Sequence, residues 1–123
     1  MSYDSVNPSV TRETHANNLT GIASTAFQRI LFFQKAKLKG VKSLVVTAGT
    51  NAAAGVDILI GTSSVGAITH GTDTAGTVNS SGDINSDIAA GSYVELKGKA
   101  TSATMVNSYT IVYEVYHDDT ATF

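Results

Sequence analysis

Histidine, carboxylate and hydroxyl side chains are the groups here that could carry acid–base, metal or nucleophilic chemistry. Three histidines are present, His15, His70 and His117. His117-Asp118-Asp119 offers nitrogen and oxygen donors, but a metal needs ligands converging from several directions, which adjacent residues rarely provide. It reads as a polar tail closing a strand, and His70 with Asp73 reads as a pair of loop residues. Nucleophilic catalysis needs a hydroxyl beside an oriented base. Serines abound, yet Gly61-Thr62-Ser63-Ser64-Val65 does not match the G-x-S-x-G elbow. Asp57, Glu95 and Glu114 fall in strand-like runs, where a carboxylate pair for glycoside hydrolysis would have to converge. Each alternates with apolar neighbours, which places it on an outward face. Gly61, Gly66, Gly71 and Gly76 recur at every fifth position but build neither a dinucleotide fingerprint nor a P-loop. No catalytic, cofactor-binding or metal-binding residue is assigned, and enzymatic function is not expected.

Composition narrows the partners. The chain has 123 residues, one domain's worth. Hydrophobic residues make up 42% and charged residues 15%, so the polar surface must come from Ser, Thr, Asn and Gly. Net charge is −2, which lacks the basic footprint of a nucleic-acid binder. Lys35, Lys37, Lys39 and Lys42 form one basic stretch; alternate spacing puts them on the solvated face of a strand, where lysine discourages edge-to-edge pairing. An acidic surface or DNA is the other partner this stretch would suit. No cysteine is present, so disulfides and thiolate zinc sites are excluded. No apolar run approaches a membrane span, and the opening residues lack the pattern of a secretory signal.

Two regions are expected. Residues 1–26 hold isolated apolar residues and the single proline, Pro8, with neither the helical nor the strand period sustained; they read as an extended N-terminal arm. Residues 27–123 read as a β-sandwich domain. Strand periodicity begins near Phe27, with Ile30, Phe32, Ala36 and Leu38 alternating against Leu31, Phe33, Lys35, Lys37 and Lys39, and Gly40 ends that run. Leu44-Val45-Val46 gives a second strand, and Val56, Ile58 and Ile60 a third. Val65 to His70 is hairpinned to the third through Gly61-Thr62-Ser63-Ser64. Gly71 to Ser86 is mostly loop, with a short strand around Thr77 to Asn79 and with Ile84 and Ile88 tucked onto the core. Ala89-Ala90-Gly91 turns into Tyr93 to Ala100, and Tyr109, Ile111, Tyr113 and Val115 share one face of a last strand. About seven strands and no long helix predict an all-β antiparallel sandwich, jelly-roll-like or Ig-like. Ile58, Ile60, Val94, Leu96, Ile111 and Val115 should be buried, and Lys35, Lys37 and Lys39 wet.

Consecutive Phe32 and Phe33 must point to opposite faces of a strand. A sandwich has one core, so one ring needs cover from the arm or from a second copy.

Thr47-Ala48-Gly49-Thr50 followed by Val56-Asp57-Ile58-Leu59-Ile60-Gly61, then Ile88-Ala89-Ala90-Gly91-Ser92-Tyr93-Val94-Glu95-Leu96-Lys97, and the closing Tyr109-Thr110-Ile111-Val112-Tyr113-Glu114-Val115, resemble tailed-bacteriophage virion proteins. Small capsid decoration (cement) proteins are the class most similar in size and style, over roughly residues 27–117. Head fibres, tail fibres and baseplate modules share that style. The resemblance implies a structural protein on the outside of a phage head, made in the host cytoplasm. It implies contacts with the major capsid protein and with itself, a trimer being favoured, and no membrane or nucleic-acid partner. In the arm, Tyr3, Val6, Val10, Leu19 and Ile22 are spaced as isolated anchors, with Arg12 at their rim. Such a strap can order on binding or add a strand to a sheet edge. Phe32 and Phe33 are the candidates for self-association. The alternative function is a receptor- or carbohydrate-binding module of a head or tail fibre.

Overall fold

The computed structural model describes the backbone of residues 8–21, 26–100 and 102–116, and the side chains of residues 28–100 and 105–115. It holds nine strands among them: β1 (Pro8–Gly21), β2 (Ala26–Leu31), β3 (Ala36–Thr47), β4 (Gly55–Ile60), β5 (Ser63–Thr69), β6 (Val78–Ser80), β7 (Ser86–Ile88), β8 (Tyr93–Lys99) and β9 (Ser102–Tyr116). One sheet has the order β1-β9-β3-β6, with β7 also paired to β3; the other has the order β2-β8-β4-β5. All pairings are antiparallel.

The pairing is nested. β1 lies on β9 in one sheet and β2 on β8 in the other; β3 lies on β6 and β7 in the first sheet, and β4 on β5 in the second. The chain is thus one long hairpin, folded back at the β4–β5 turn, whose successive strand pairs alternate between the sheets. That is the jelly-roll arrangement, and it decides between the two sandwich topologies the sequence allows.

Alternation in the sequence builds the core. Ile58, Val94, Leu96 and Ile111 are fully buried, as the period-two reading expects, while Ile60 and Val115 are half-buried. Ala36, Leu38, Val41, Val56, Ile68, Ile88 and Tyr109 complete the centre. Each fully buried aliphatic side chain contributes about 1.5–3 kcal/mol by leaving water. Lys35 is exposed, and Lys37 and Lys39 are half-buried on the outer face of β3.

Three segments differ from the sequence reading. Residues 27–39 are not one strand: β2 ends at Leu31, residues 32–35 turn the corner, and β3 opens in the opposite sheet. The connector keeps Phe32 and Ala36 inward, so the hydrophobic alternation runs on while the chain changes sheets. Gly40 does not end a strand. It follows a bulge, with Leu38 opposite Tyr113 and Gly40 opposite Val112, so that Lys39 is the extra residue. The bulge moves the inward set from Ala36 and Leu38 to Val41, Ser43 and Val45. The 81–84 loop closes on this point through Ser81 N to Val41 O at 2.9 Å and Ile84 N to Lys39 O at 2.9 Å. A Cβ at Gly40 would stand 2.9 Å from Gly82 O, so only glycine lets the loop approach. Finally, Pro8–Gly21 of the N-terminal segment forms β1, so the sheet begins well before residue 27.

Candidate interaction surface

β1 occupies the end of its sheet, paired along β9 from Pro8 opposite Tyr116 to Gly21 opposite Ser102. An edge strand carries a row of N–H and C=O groups turned away from its neighbour, which can template another chain. Of the arm residues singled out from the sequence, Val10, Arg12 and Leu19 stand in β1 opposite Val115, Tyr113 and Asn107. Their side chains, and Tyr3, Val6 and Ile22 altogether, lie outside the described residues, as do the side chain of His15 and the His117-Asp118-Asp119 tail.

The two phenylalanines separate. Phe32 is 7% exposed and meets Tyr113 edge-on, with ring centroids 4.9 Å apart. Its backbone is fixed at both ends, accepting from Gly91 N at 2.7 Å and donating to Ser92 O at 2.9 Å. Phe33, on the 32–35 corner, is 48% exposed, and Leu31 beside it is 68% exposed. Phe32 is therefore a core residue, and Phe33 with Leu31 is the pair presented to solvent. They border a groove of about 290 Å³ shared with Ile30, Gln34, Tyr113 and Val115.

A second apolar area was not expected. Past the bulge, Leu44 and Val46 turn outward, both 44% exposed, beside Val78 of β6 at 63%. With Val112 and Thr110 of β9, Leu44 and Val78 line an open groove of about 520 Å³ on the outer face of the β1-β9-β3-β6 sheet. The sequence signal was Leu44-Val45-Val46 itself, since three consecutive apolar residues in a strand must leave some outside. At the lysine end of this face Lys39 pairs with Glu114 at 3.6 Å, a partly exposed contact that contributes little.

Glu95 keeps its outward assignment but is not wet. It does point away from the core, but β8 is an inner strand of its sheet, and the residue is only 7% exposed. Arg29 of β2, its cross-strand partner, donates Nε–H to Glu95 Oε1 at 2.6 Å and lies over the Tyr93 ring, 5.4 Å from its centroid. The hydrogen bond to Glu95, then its charge, push the guanidinium pKa up further. Glu114 lies in the other sheet, on Lys39, so Glu95 and Glu114 cannot form the carboxylate pair a glycosidase needs.

His70 stands in the loop just past β5, as the sequence reading has it, but is buried. It is 2% exposed, with its ring turned inward to Tyr109 Oη at 2.9 Å. Asp73 is engaged elsewhere, accepting from Asn79 Nδ2 at 3.1 Å. Burial lowers the His70 pKa, with Lys99 adding to the effect and Asp73 opposing it; burial also raises the Tyr109 pKa, which keeps the hydroxyl protonated. Ser43 and Asn107 are buried beside them. Among the described residues, no three His, Asp or Glu side chains gather to hold a metal.

The chemistry this arrangement supports is recognition through apolar contact and strand edges. Neither a protein-family model, nor a curated protein, nor a solved structure matches this chain.

Proposed function

We propose that this chain is a structural virion protein, a capsid decoration or cement protein that binds the major capsid protein on the outside of a phage head and stabilises the shell. The observation that carries the reading is the pairing of a closed jelly-roll core with large apolar side chains left in solvent. Leu31 and Phe33 stand at one corner, and Leu44, Val46 and Val78 on the outer face of one sheet. Apolar area of this kind marks protein contact surfaces. The jelly roll is used by viral capsid and lectin domains, which is an argument from analogy of fold. In this reading Tyr3, Val6, Val10, Arg12, Leu19 and Ile22 bind the capsid, Phe33 binds a second copy in a homo-oligomer, and β1 offers its free edge to either partner. Cosedimentation of the purified chain with shells that lack it tests the proposal, followed by cryo-electron microscopy of the decorated particle. Absence of the chain from the pelleted shells would overturn it.

The alternative, a receptor- or carbohydrate-binding fibre module, has one observation in its favour: Tyr93 sits beside Arg29 and Glu95, an aromatic ring among polar groups. Arg29 already lies over that ring, which leaves it less open as a sugar platform. Glycan-array binding that is lost on Tyr93→Ala would favour the alternative.

A further inference from the structure

Among the described residues, four buried side-chain atoms make no hydrogen bond: Ser43 Oγ, His70 Nδ1, and both Nδ2 and Oδ1 of Asn107. They are neighbours in the fold. Asn107 and Tyr109 are two apart on the inward face of β9, Ser43 stands opposite Tyr109 across the β3–β9 ladder, and His70 reaches Tyr109 Oη from the other sheet. The cluster therefore surrounds one tyrosine. It separates the main core from Val45, Ala54 and Met105, which are buried at 3%, 0% and 4% but stand outside that core.

We propose that Ser43, His70 and Asn107 form an internal hydration site, in which ordered water held between the two sheets bridges their unpartnered atoms.

Flipping the Asn107 amide does not remove the need, because its nitrogen and its oxygen are both without partners. Choosing the His70 tautomer does not remove it either. With Nε2 engaged by Tyr109, Nδ1 is left as a donor without an acceptor or as an acceptor without a donor. The unmet groups are thus a mixture of donors and acceptors, and none carries a formal charge. Asp73 and Lys99 act on His70 only through their fields, with opposite signs. The ligand that fits is small, neutral, and both donates and accepts, which describes water. Buried waters in globular proteins occupy such positions, each making about three hydrogen bonds.

Water oxygen-17 magnetic relaxation dispersion on the full chain tests the site, because it registers waters held longer than the tumbling time of the protein. The expected result is a dispersion in the natural protein whose amplitude falls, by at least one water's worth, in both Asn107→Leu and Ser43→Ala. Unchanged amplitude in a folded variant overturns the proposal. If Asn107→Leu does not fold, the natural protein alone decides. Cross-peaks of a long-lived water with the Asn107 side-chain amide protons support the site, and their absence from an otherwise assigned spectrum overturns it.

Discussion

His70, just beyond β5, and Tyr109, in the middle of β9, join the two sheets of the sandwich through a 2.9 Å side-chain hydrogen bond inside the core. The imidazole in this bond is held neutral, because burial opposes charge on His70 more than Asp73 favours it. A lowered folded-state pKa means that the unfolded chain binds the proton more readily. The stability due to this group is complete above the unfolded value, near pH 6.5, and is lost as pH falls from there through the folded pKa. Urea unfolding at pH 7.5 and at pH 5 should show the weaker fold at pH 5, and His70→Gln should reduce that difference. Tyr109→Phe, which strips His70 Nε2 of its partner, should cost about 1–3 kcal/mol at neutral pH. A pH dependence unchanged by His70→Gln would remove His70 from the account.

Leu38 and Leu44 lie on one strand, on either side of the bulge, and make opposite predictions. Leu38 is fully buried, and Leu38→Ala should destabilise by about 2–5 kcal/mol. Leu44 is 44% exposed, and Leu44→Ala should stay within about 0.5 kcal/mol in chemical denaturation. If the proposed function holds, Leu44→Ala and Phe33→Ser should nevertheless weaken binding to shells. Equal losses of stability at Leu38 and Leu44 would contradict the register assigned to β3.

β4, β8 and the face of β9 from Tyr109 to Val115 were legible because their hydrophobic alternation is unbroken, whereas β5 carries an extra residue at Val65 and was legible from the glycine- and serine-rich turn before it. The N-terminal segment was not legible as a strand, and its pairing explains why. Register shifts interrupt β1 between Pro8 and Val10, between Ala16 and Leu19, and between Thr20 and Gly21, so no single period of two survives in the sequence. Its partner β9 supplies the order that its own residues do not announce, and Pro8 stands at the first position of the strand, where proline is tolerated. The polar layer was half-legible. Asn107 shares the parity of Tyr109 and Ile111, which marks it as inward, whereas the extra residue at the bulge hides the same parity for Ser43. Burial of Glu95 was hidden for a different reason. Alternation gives the face of a residue but not the strand's place in its sheet, and an inner strand is flanked on both sides.

Arg29 and Glu95 make a prediction about pairs. Removing Arg29 leaves a carboxylate with a 9% exposed side chain and no cation at 2.6 Å, whereas removing both groups leaves none. Arg29→Ala should therefore lower the thermal midpoint, and the double variant Arg29→Ala/Glu95→Leu should recover part of that loss. A double variant no more stable than Arg29→Ala alone would show that the pair is not what keeps Glu95 tolerable in the sheet.

Two truncations distinguish the structural part of the N-terminal segment from its proposed binding part. Deleting residues 1–22 removes β1 and strips β9 of its partner along one whole edge. The midpoint of thermal unfolding should fall, and the uncovered edge should promote aggregation. This reverses what an independent arm would do, because such an arm could be lost without weakening the core. Deleting residues 1–7 leaves every residue of β1 in place and should keep the midpoint unchanged. It removes Tyr3 and Val6, two of the proposed capsid anchors, so binding to shells should weaken by at least about tenfold, equivalent to about 1.4 kcal/mol. Because the fold is held constant, the weakening reads out contacts alone. If the chain lacking residues 1–7 binds shells as tightly as the full chain, those residues are a passive tail, and any role of the N-terminal segment in binding rests with β1.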